Sequence, residues 1–393
     1  MRLLLLLVAA LITYGSLYPF RFSLVAVDSA AIAAFLNSLD APSGRGDILG
    51  NVVLFIPFGF LGMLALPPRS NRATRILSTV ITGFVLSTAL QVAQLYLPSR
   101  TAVLVDVVWN MVGLGMGIVV AMPKFVQGMV ANQSVTSTAF IPAVIIAAWL
   151  AARLAPFVPS IDWQEWKDSL KPLLLDPSFD LRSFLRQAPA WLATACLSAA
   201  AFGERRISLK FALLIAVTFA LEVIIIDNTL SFTAVVSASS SFLVFALAVK
   251  HLRRRELVAG LILMGTYVYL GLTPFILLDE PKSFHWIPFW GSLGGSMFVN
   301  AWVICYKVFL YGAMVWLLER GGLGNVGATM LTFAAATIVE AGQAFTGSGT
   351  PEITDPLLVL VAGLLIANLG PRLPSAIHLG RATNRGEFPG SRV

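Results

Sequence analysis

Residues 76–95 read ILSTVITGFVLSTALQVAQL, and this stretch indicates the fold of the whole chain. As a helix with a rise of 1.5 Å per residue, it is long and apolar enough to cross the hydrocarbon core of a bilayer. Similar runs recur along the 393 residues, which are 57% hydrophobic and 12% charged, with a mean hydropathy of +0.82. Soluble domains carry about 25% charged residues. The sequence therefore predicts an all-α, polytopic membrane protein.

Twelve apolar runs are predicted to be transmembrane helices. They cover residues 3–19, 51–67, 76–95, 103–122, 139–156, 188–202, 210–226, 231–249, 257–277, 298–318, 326–345 and 355–370. The first run follows Arg2, as the apolar part of a signal peptide would. We nevertheless expect this run to be retained, because it takes part in the repeat described below.

The distribution of basic residues predicts the orientation of these helices. Basic residues collect in cytoplasmic loops, and an N-terminus inside the cell places most of the 27 basic residues on that side, with few of the 20 acidic residues. Both termini are then cytoplasmic. Orientation also accounts for the net charge of +7, because no basic domain lies outside the membrane, and no nucleic-acid partner is predicted.

An internal repeat organises the runs into three units. The dipeptide Pro-Phe follows the first, fifth and ninth runs, at residues 19–20, 156–157 and 274–275, and a Glu or Gln lies late in the third run of each unit. From the Pro to this acid there are 66 residues in both later units, which aligns Glu222 with Glu340. We predict three parallel four-helix units at residues 1–130, 131–250 and 251–375, followed by a cytoplasmic tail at residues 376–393.

The first and third units share a further pattern of polar residues. Gln91, Gln94 and Asp106 have the same spacing as Glu340, Gln343 and Asp355. The middle unit has Ile225 and Ser237 where the second Gln and the Asp would fall, so we interpret it as degenerate. In its first outside loop, apolar residues at helical spacing between Trp163 and Leu173 predict a helix lying flat at the membrane interface. The aromatic residues at 284–290 of the third unit predict an interfacial anchor.

Polar side chains inside the spans, together with Arg100 in the turn between the third and fourth spans, are the candidate ligand-binding residues. An ionisable side chain there is costly unless it is paired or faces water, so it is a functional hypothesis by default. The candidates are Gln91, Gln94, Arg100, Asp106, Asn110, Glu222, Glu340, Gln343 and Asp355. The predicted orientation places Gln91, Gln94 and Asp106 in the outer half of the membrane, in a pocket that opens outward, and Arg100 is expected to reach Asp106 or a bound anion.

An alternative interpretation is that these side chains only hydrogen-bond the helices to one another. Lys307 lies within the tenth run and is the expected counter-charge of the third unit. A pairing of Lys307 with Glu340 or Asp355 would favour this alternative.

Several chemistries find no support in the sequence. Cys196 and Cys305 lie inside apolar runs, and the three histidines have no metal-binding spacing, so no metal or other cofactor is predicted. Residues 322–327 match G-x-G-x-x-G but lie in a short turn with no strand before it, so no nucleotide partner is predicted. No nucleophile motif occurs in a supporting context, and no catalytic residue is assigned.

The first unit carries a further set of motif residues, which are Pro19 and Phe20, Asn51, Phe55, Pro57 and Gly59, Gln91 and Gln94, Pro98 and Arg100, and Asp106, Asn110 and Gly113. In these residues it resembles the VanZ-like family. The resemblance covers about residues 3–122, and residues 257–370 are similar more weakly, through Pro274-Phe275, Glu340, Gln343 and Asp355. The resemblance implies a protein of the bacterial inner membrane, associated with the cell envelope and with resistance to the glycopeptide antibiotic teicoplanin.

Three functions are compatible with these features. The leading hypothesis is a non-enzymatic envelope protein whose outward pocket binds a membrane lipid headgroup or a lipid-linked glycan precursor. The alternative is a proton-coupled transporter or lipid translocase that uses Glu222, Glu340 and Asp355 as proton carriers. The third is a membrane-embedded transferase or hydrolase acting on lipid phosphates, with paired acids and an Arg in catalytic roles.

Overall fold

The computed structural model describes residues 1–23, 29–42, 44–66, 70–122, 133–291 and 297–369, and the predicted tail at 376–393 lies outside them. Apart from three isolated β-bridges, the regular structure of this part is helical. The helices are α1 Arg2–Leu17, α2 Ser29–Leu36, α3 Arg45–Ala65, α4 Arg72–Gln94, α5 Leu104–Ala121, α6 Gln133–Leu154, α7 Trp163–Leu174, α8 Leu181–Phe202, α9 Ile207–Ile224, α10 Phe232–Leu247, α11 Arg255–Leu272, α12 Met297–Leu318, α13 Gly324–Phe345 and α14 Thr354–Leu369.

Each of the twelve predicted runs coincides with one of these helices. Among the described residues, seven helical stretches are long and apolar enough to cross a membrane: Asp47–Ala65, Arg72–Gln94, Leu104–Ala121, Ile207–Ile224, Phe232–His251, Arg255–Leu272 and Val303–Phe345. The last stretch covers both α12 and α13. Shorter apolar helices occur at Arg2–Leu17, Ala139–Leu154 and Thr354–Leu369. The chain is therefore a multi-pass membrane protein, and the number of twelve crossings stays a prediction.

The long helices pack around two hydrophobic cores. Residues of α1, α3, α4 and α5, which we call the first group, form one core that includes Ile12, Phe55 and Leu114. The middle group (α6, α8, α9 and α10) and the last group (α11 to α14) share a second, larger core that includes Trp191 and Phe309. The first group therefore has its own interior, whereas the other two groups are packed against each other.

The order of helix contacts is the same in the three groups. The second helix contacts the first in the pairs α1–α3, α6–α8 and α11–α12. The fourth helix contacts both the second and the third, in the pairs α3–α5 and α4–α5, α8–α10 and α9–α10, and α12–α14 and α13–α14. The end of the third helix in each group thereby lies beside the start of the fourth.

The three Pro-Phe turns share one backbone geometry. Phe20, Phe157 and Phe275 adopt left-handed φ angles of 63°, 62° and 60°, and their amides donate to the carbonyls of Leu17, Leu154 and Leu272 at 2.9 Å each. The amide four residues after each Pro donates to a backbone carbonyl at, or just beyond, the end of the third helix of the same group. These bonds are Ser23 to Tyr96 (2.7 Å), Ser160 to Ile224 (2.8 Å) and Leu278 to Phe345 (3.0 Å). Each turn therefore connects the ends of the first and third helices.

The loops between the first and second long helices match the predictions in part. Helix α7 covers the predicted interfacial segment, and Trp163 on it is 64% exposed. The aromatic segment at 284–290, predicted as an interfacial anchor, packs on the end of α1. The Tyr14 hydroxyl donates to the Pro288 carbonyl at 2.6 Å, and the rings of Tyr18 and Trp290 meet edge to face.

Candidate functional site

The first group brings Gln91, Asp106 and Asn110 together between α4 and α5. Gln91, which is 4% exposed, donates from Nε2 to Asp106 Oδ2 at 3.3 Å and accepts at Oε1 from the Val103 amide at 3.1 Å. Asn110 donates to the Ser87 hydroxyl at 2.9 Å. These bonds satisfy polar groups that the membrane interior would otherwise penalise, although the side-chain oxygen Oδ1 of Asn110 is buried without a hydrogen-bond partner. The two helices therefore face each other through these polar side chains, as the spacing predicts.

Arg100 does not pair with Asp106, which is one of the two partners predicted for it; the other, a bound anion, stays a prediction. Arg100 is exposed, and its guanidinium donates to the carbonyls of Tyr18 and Gly15 at 3.2 Å each. The last carbonyls of a helix lack intrahelical donors, and α1 ends at Leu17, so Arg100 supplies the missing donors. Asp106 instead accepts a hydrogen bond from Gln91.

Two glycines among the residues that carry the VanZ-like resemblance allow α3 to pack closely on α5. A Cβ at Gly113 would overlap the backbone carbonyl of Val52, and a Cβ at Gly59 would overlap that of Leu114. Small residues allow such close approach of transmembrane helices. Phe55 is 1% exposed in the core of this group, and Pro57 lies within α3. Pro19 and Phe20 form the turn described above.

In the last group, Glu340 and Asp355 belong to a buried charged cluster. Glu340 is 3% exposed and accepts a hydrogen bond from the Glu352 amide at 2.7 Å. Lys307 Nζ lies 2.5 Å from Asp355 Oδ1 and 3.6 Å from Glu352 Oε1. The predicted role of Lys307 as counter-charge is therefore confirmed. This pairing favours the interpretation in which the acids hold α12, α13 and α14 together.

The second amide of each pattern makes the same contact in the first and last groups. Gln94 donates to the Ser16 carbonyl at 2.9 Å, and Gln343 donates to the Gly271 carbonyl at 3.2 Å. Both carbonyls belong to the residue that stands three positions before the Pro of the Pro-Phe turn. We call this residue the pre-turn residue.

In the middle group the pre-turn residue is Arg153, and its partner is Glu222. Arg153 Nε lies 2.6 Å from Glu222 Oε1, and its NH1 donates to Gln187 Oε1 at 3.1 Å. The guanidinium carbon also lies 5.3 Å from the ring centroids of Trp149 and Trp191. An ion pair here takes the place of the amide–carbonyl bond of the other groups.

Glu222 therefore corresponds to Gln343, which corrects its alignment with Glu340. The bridges Pro159–Ile225 and Leu277–Thr346 begin three residues after the Pro in both groups, and they align Glu222 with Gln343. Helix α9 ends at Ile224 after 18 residues, whereas α13 runs for 22. Helix α9 therefore ends about one helical turn earlier than α13, counted from the Pro of each group. An alignment by equal residue count from the Pro is wrong by this one turn, and it pairs Glu222 with Glu340 instead of Gln343.

A cavity of about 240 Å³ lies in the last group, next to Lys307 and Asp355. Its polar lining consists of Arg186, Thr266, Tyr267, Tyr306, Lys307, Tyr311, Gln343 and Asp355, and its apolar lining includes Leu263, Leu270, Leu310 and Val339. Arg186 on α8 is exposed, and in the part of the chain that the structure describes it has no acidic side chain within salt-bridge distance. The cavity thus combines an unpaired guanidinium with aromatic and apolar walls.

The sequence did not single out Arg153, Arg186 or Glu352. Arg153 carries a detectable signal, since it stands at the same distance before Pro-Phe as Ser16 and Gly271. Glu352 precedes Asp355 by one helical turn but lies in a short loop, where an acid is ordinarily solvated. The tyrosines of the cavity are indistinguishable from other aromatic residues in an apolar run.

Within the ranges that the structure describes, no group of three or more His, Cys, Asp and Glu side chains is placed to hold a metal ion. Residues 3–127 match the family model described as VanZ/LLP1. No curated protein and no solved structure matches this chain.

Proposed function

Because residues 3–127 form a VanZ-like unit, we propose that this chain is an envelope protein of the bacterial inner membrane that binds a lipid headgroup. The headgroup belongs to a membrane lipid or to a lipid-linked glycan precursor, and the cavity that binds it faces outward. Both termini lie in the cytoplasm, and neither nucleic acid nor a nucleotide is a partner.

The proposal includes an architecture of twelve crossings in three parallel four-helix repeats. The common order of helix contacts and the common geometry of the Pro-Phe turns support it. The contact of Gln94 and Gln343 with the pre-turn carbonyl supports it as well. Four crossings per unit give the three units the same orientation, so their third helices all end on the outer side.

The observation that carries the proposal is the lining of the cavity in the last group. Arg186 offers an unpaired guanidinium, which suits a phosphate because its donors match phosphate oxygens. The leucines and Val339 offer an apolar wall for the adjoining glycerol or acyl chain. Pockets for drug-sized ligands measure about 300–1,000 Å³, and this cavity is smaller. A headgroup fits it, whereas a whole glycopeptide antibiotic does not.

Resistance to a glycopeptide therefore follows from binding of envelope lipids or their glycan-carrying precursors. In this mechanism the protein does not hold the antibiotic itself. The candidate residues of the first unit keep a structural role, because Gln91 and Asp106 bond each other and Arg100 bonds the end of α1.

Lipid co-purification tests the proposal. The full chain and its Arg186→Ala variant are purified in mild detergent, and the retained lipids are quantified by mass spectrometry. We expect Arg186→Ala to lose phospholipid that the wild type retains. Arg182→Ala is the matched control, because Arg182 lies on the same helix, is exposed and does not line the cavity. Equal lipid retention by both variants and the wild type would refute the proposal.

A proton-coupled transporter or lipid translocase is the second candidate. Three carboxyl groups, those of Glu340, Glu352 and Asp355, surround the single ammonium of Lys307. Keeping all three ionised in a low-dielectric interior is costly, so the cluster is suited to hold a proton. Glu222, paired with Arg153, is less suited to this role. Lipid movement in proteoliposomes that depends on a pH gradient, and that Glu340→Gln abolishes, would establish this candidate.

A further inference from the structure

A second cavity lies toward the opposite end of three helices that line the first one. This space of about 250 Å³, which we call the inner cavity, is lined by Ala200 near the end of α8, by Glu256 in the first turn of α11, and by Trp316 and Arg320 at or just beyond the end of α12. On α8, Ala200 lies fourteen residues after Arg186, which lines the first cavity. At 1.5 Å per residue, the two cavities are therefore about 20 Å apart along the helix.

Arg320 brings a guanidinium without a polar partner to the inner cavity. Its side chain is partly buried, and the guanidinium carbon lies over the Trp316 ring, 5.6 Å from the ring centroid. In the ranges that the structure describes, no carboxylate lies within salt-bridge distance of Arg320, and no group accepts a hydrogen bond from it. A guanidinium that stacks on an aromatic ring keeps its N–H donors, which lie in its own plane, available to an anion.

The carboxylate in the lining of the inner cavity has its own partner. Glu256 Oε1 lies 2.9 Å from Arg255 Nε. Arg255 also pairs with Glu204, whose side chain is 59% exposed and therefore screened by water. Eight Lys or Arg but only three Glu belong to the chain segments at this end, which are residues 203–210, 250–256 and 319–320. The surplus of positive charge attracts anions to this end of the protein.

We infer that the inner cavity is a second anion-binding site, in which Arg320 binds a phosphate group. Guanidinium donors match phosphate oxygens, and basic pockets between transmembrane helices bind the phosphates of lipid headgroups. The phosphate belongs to a lipid of the adjacent leaflet or is a free phosphate ion. Because α11 and α12 lie in stretches that are long enough to cross a membrane, the two cavities belong to opposite halves of it. The inner site does not depend on Arg186 and goes beyond the proposed function.

Native mass spectrometry of the full chain in mild detergent tests the inference. The protein is titrated with dioleoyl phosphatidylglycerol, and the lipids that resist collisional stripping are counted. We expect the wild type to retain two such lipids and Arg320→Gln to retain one, with affinity at the inner site lowered at least about tenfold by the loss of one charge-assisted hydrogen bond. Arg253→Gln is the matched control, because Arg253 is exposed at the same end and does not line the inner cavity.

The unfolding temperature separates a binding role of Arg320 from a structural one. Among the described residues Arg320 has no polar partner, so Arg320→Gln should lose lipid and unfold at nearly the same temperature as the wild type. A large drop in this temperature together with an unchanged lipid count would assign Arg320 to the fold and overturn the inference.

Calorimetric titration of the delipidated protein with inorganic phosphate distinguishes the two sources of the phosphate. If the ligand is a lipid, the lipid count depends on Arg320 and inorganic phosphate gives no binding heat. If the ligand is a free phosphate ion, inorganic phosphate binds to the wild type and not to Arg320→Gln, whereas both proteins retain the same number of lipids. Equal lipid counts and equal phosphate heats in the two proteins would overturn the inference.

A comparison with Arg186→Ala separates this inference from the proposed function. If Arg320→Gln loses one lipid and Arg186→Ala loses none, the proposed function fails and the inner site stands. The reverse result refutes the inner site alone. If both inferences hold, the double variant retains neither lipid.

Discussion

The ion pair between Arg153 and Glu222 allows a quantitative prediction about stability. The two side chains are 12% and 6% exposed, and Nε and Oε1 are 2.6 Å apart. At this distance and an effective dielectric constant of about 20, the Coulomb attraction is about 6 kcal/mol. Desolvation of both charges offsets much of it, so the net contribution of the intact pair is small.

Breaking the pair from one side is expected to be costly, because it leaves a buried charge without its partner. Removing one member of a buried pair costs about 3–5 kcal/mol. Glu222→Gln should lower the free energy of unfolding by about 3 kcal/mol, the lower end of this range, because Gln still accepts one hydrogen bond from the guanidinium. Arg153→Met should cost about as much, and it also removes two cation–aromatic contacts of about 0.5–1 kcal/mol each.

The double variant Arg153→Met, Glu222→Gln should recover most of this loss. It recreates the arrangement of the other groups, where Gln94 and Gln343 donate to the carbonyl of the pre-turn residue. We expect its free energy of unfolding to lie within about 2 kcal/mol of that of the wild type, because only the two cation–aromatic contacts are then lost. The coupling energy between the two positions then exceeds about 3 kcal/mol.

Reversible unfolding in mixed detergent micelles, followed by circular dichroism, measures the four free energies of unfolding. The control cycle uses Lys171 and Asp168, whose side chains are 52% and 51% exposed, and there we expect no measurable coupling, because water screens exposed pairs. The reasoning is contradicted if each single variant lowers the free energy of unfolding by less than about 1 kcal/mol. It is also contradicted if the losses of the two single variants add up to the loss of the double variant.

Three further predictions concern packing, capping and pH. Gly113→Ala should destabilise the protein by about 1–3 kcal/mol, because its Cβ would overlap the Val52 carbonyl, whereas Gly115→Ala, whose Cβ meets nothing within 4 Å, should be close to neutral in the same unfolding assay. Arg100→Ala should lower the free energy of unfolding by about 1 kcal/mol and leave lipid retention unchanged; a loss of lipid would restore the predicted binding role. Asp180 caps α8, and hydrogen bonds from Ser183 lower the pKa of its carboxyl group. Its contribution to stability is thus present above the ordinary Asp pKa of about 3.9 and lost as the pH falls through the lower folded value. Asp180→Asn, compared in acid titrations, should remove that part of the pH dependence, and an unchanged titration would contradict it.

The helices and the polar pairing of the first group could be predicted from the sequence. Membrane helices are specified by local hydropathy, so runs such as residues 76–95 mark their positions without tertiary information. The pairing of Gln91 with Asp106 followed because two helices joined by a short turn must be neighbours, and a polar residue on each then needs a partner.

The alignment of Glu222 and the role of Arg100 could not be predicted in the same way. A residue count from the Pro ignores the different lengths of α9 and α13, and only the backbone bridges reveal the correct register. For Arg100 the sequence predicts Asp106 or a bound anion as partner, and it gives no sign that the unsatisfied carbonyls at the end of α1 compete for this guanidinium. The cavity next to Lys307 depends on how side chains of α8, α11, α12, α13 and α14 pack against one another, and the sequence alone does not specify this packing.

The pre-turn residue contributes to the fold mainly through its backbone carbonyl in the first and last groups. Its side chain differs among the groups, because Ser16, Arg153 and Gly271 occur at this place within one chain. In the middle group the side chain itself joins the first and third helices, through Glu222. A substitution there has to be matched by its neighbours: by Glu222 in the middle group, and by Val339 in the last group, whose Cγ1 would lie 2.5 Å from a Cβ at Gly271. The shared backbone contact thus leaves each group with its own side-chain surroundings, and an exchange of residues between groups would have to include the partner.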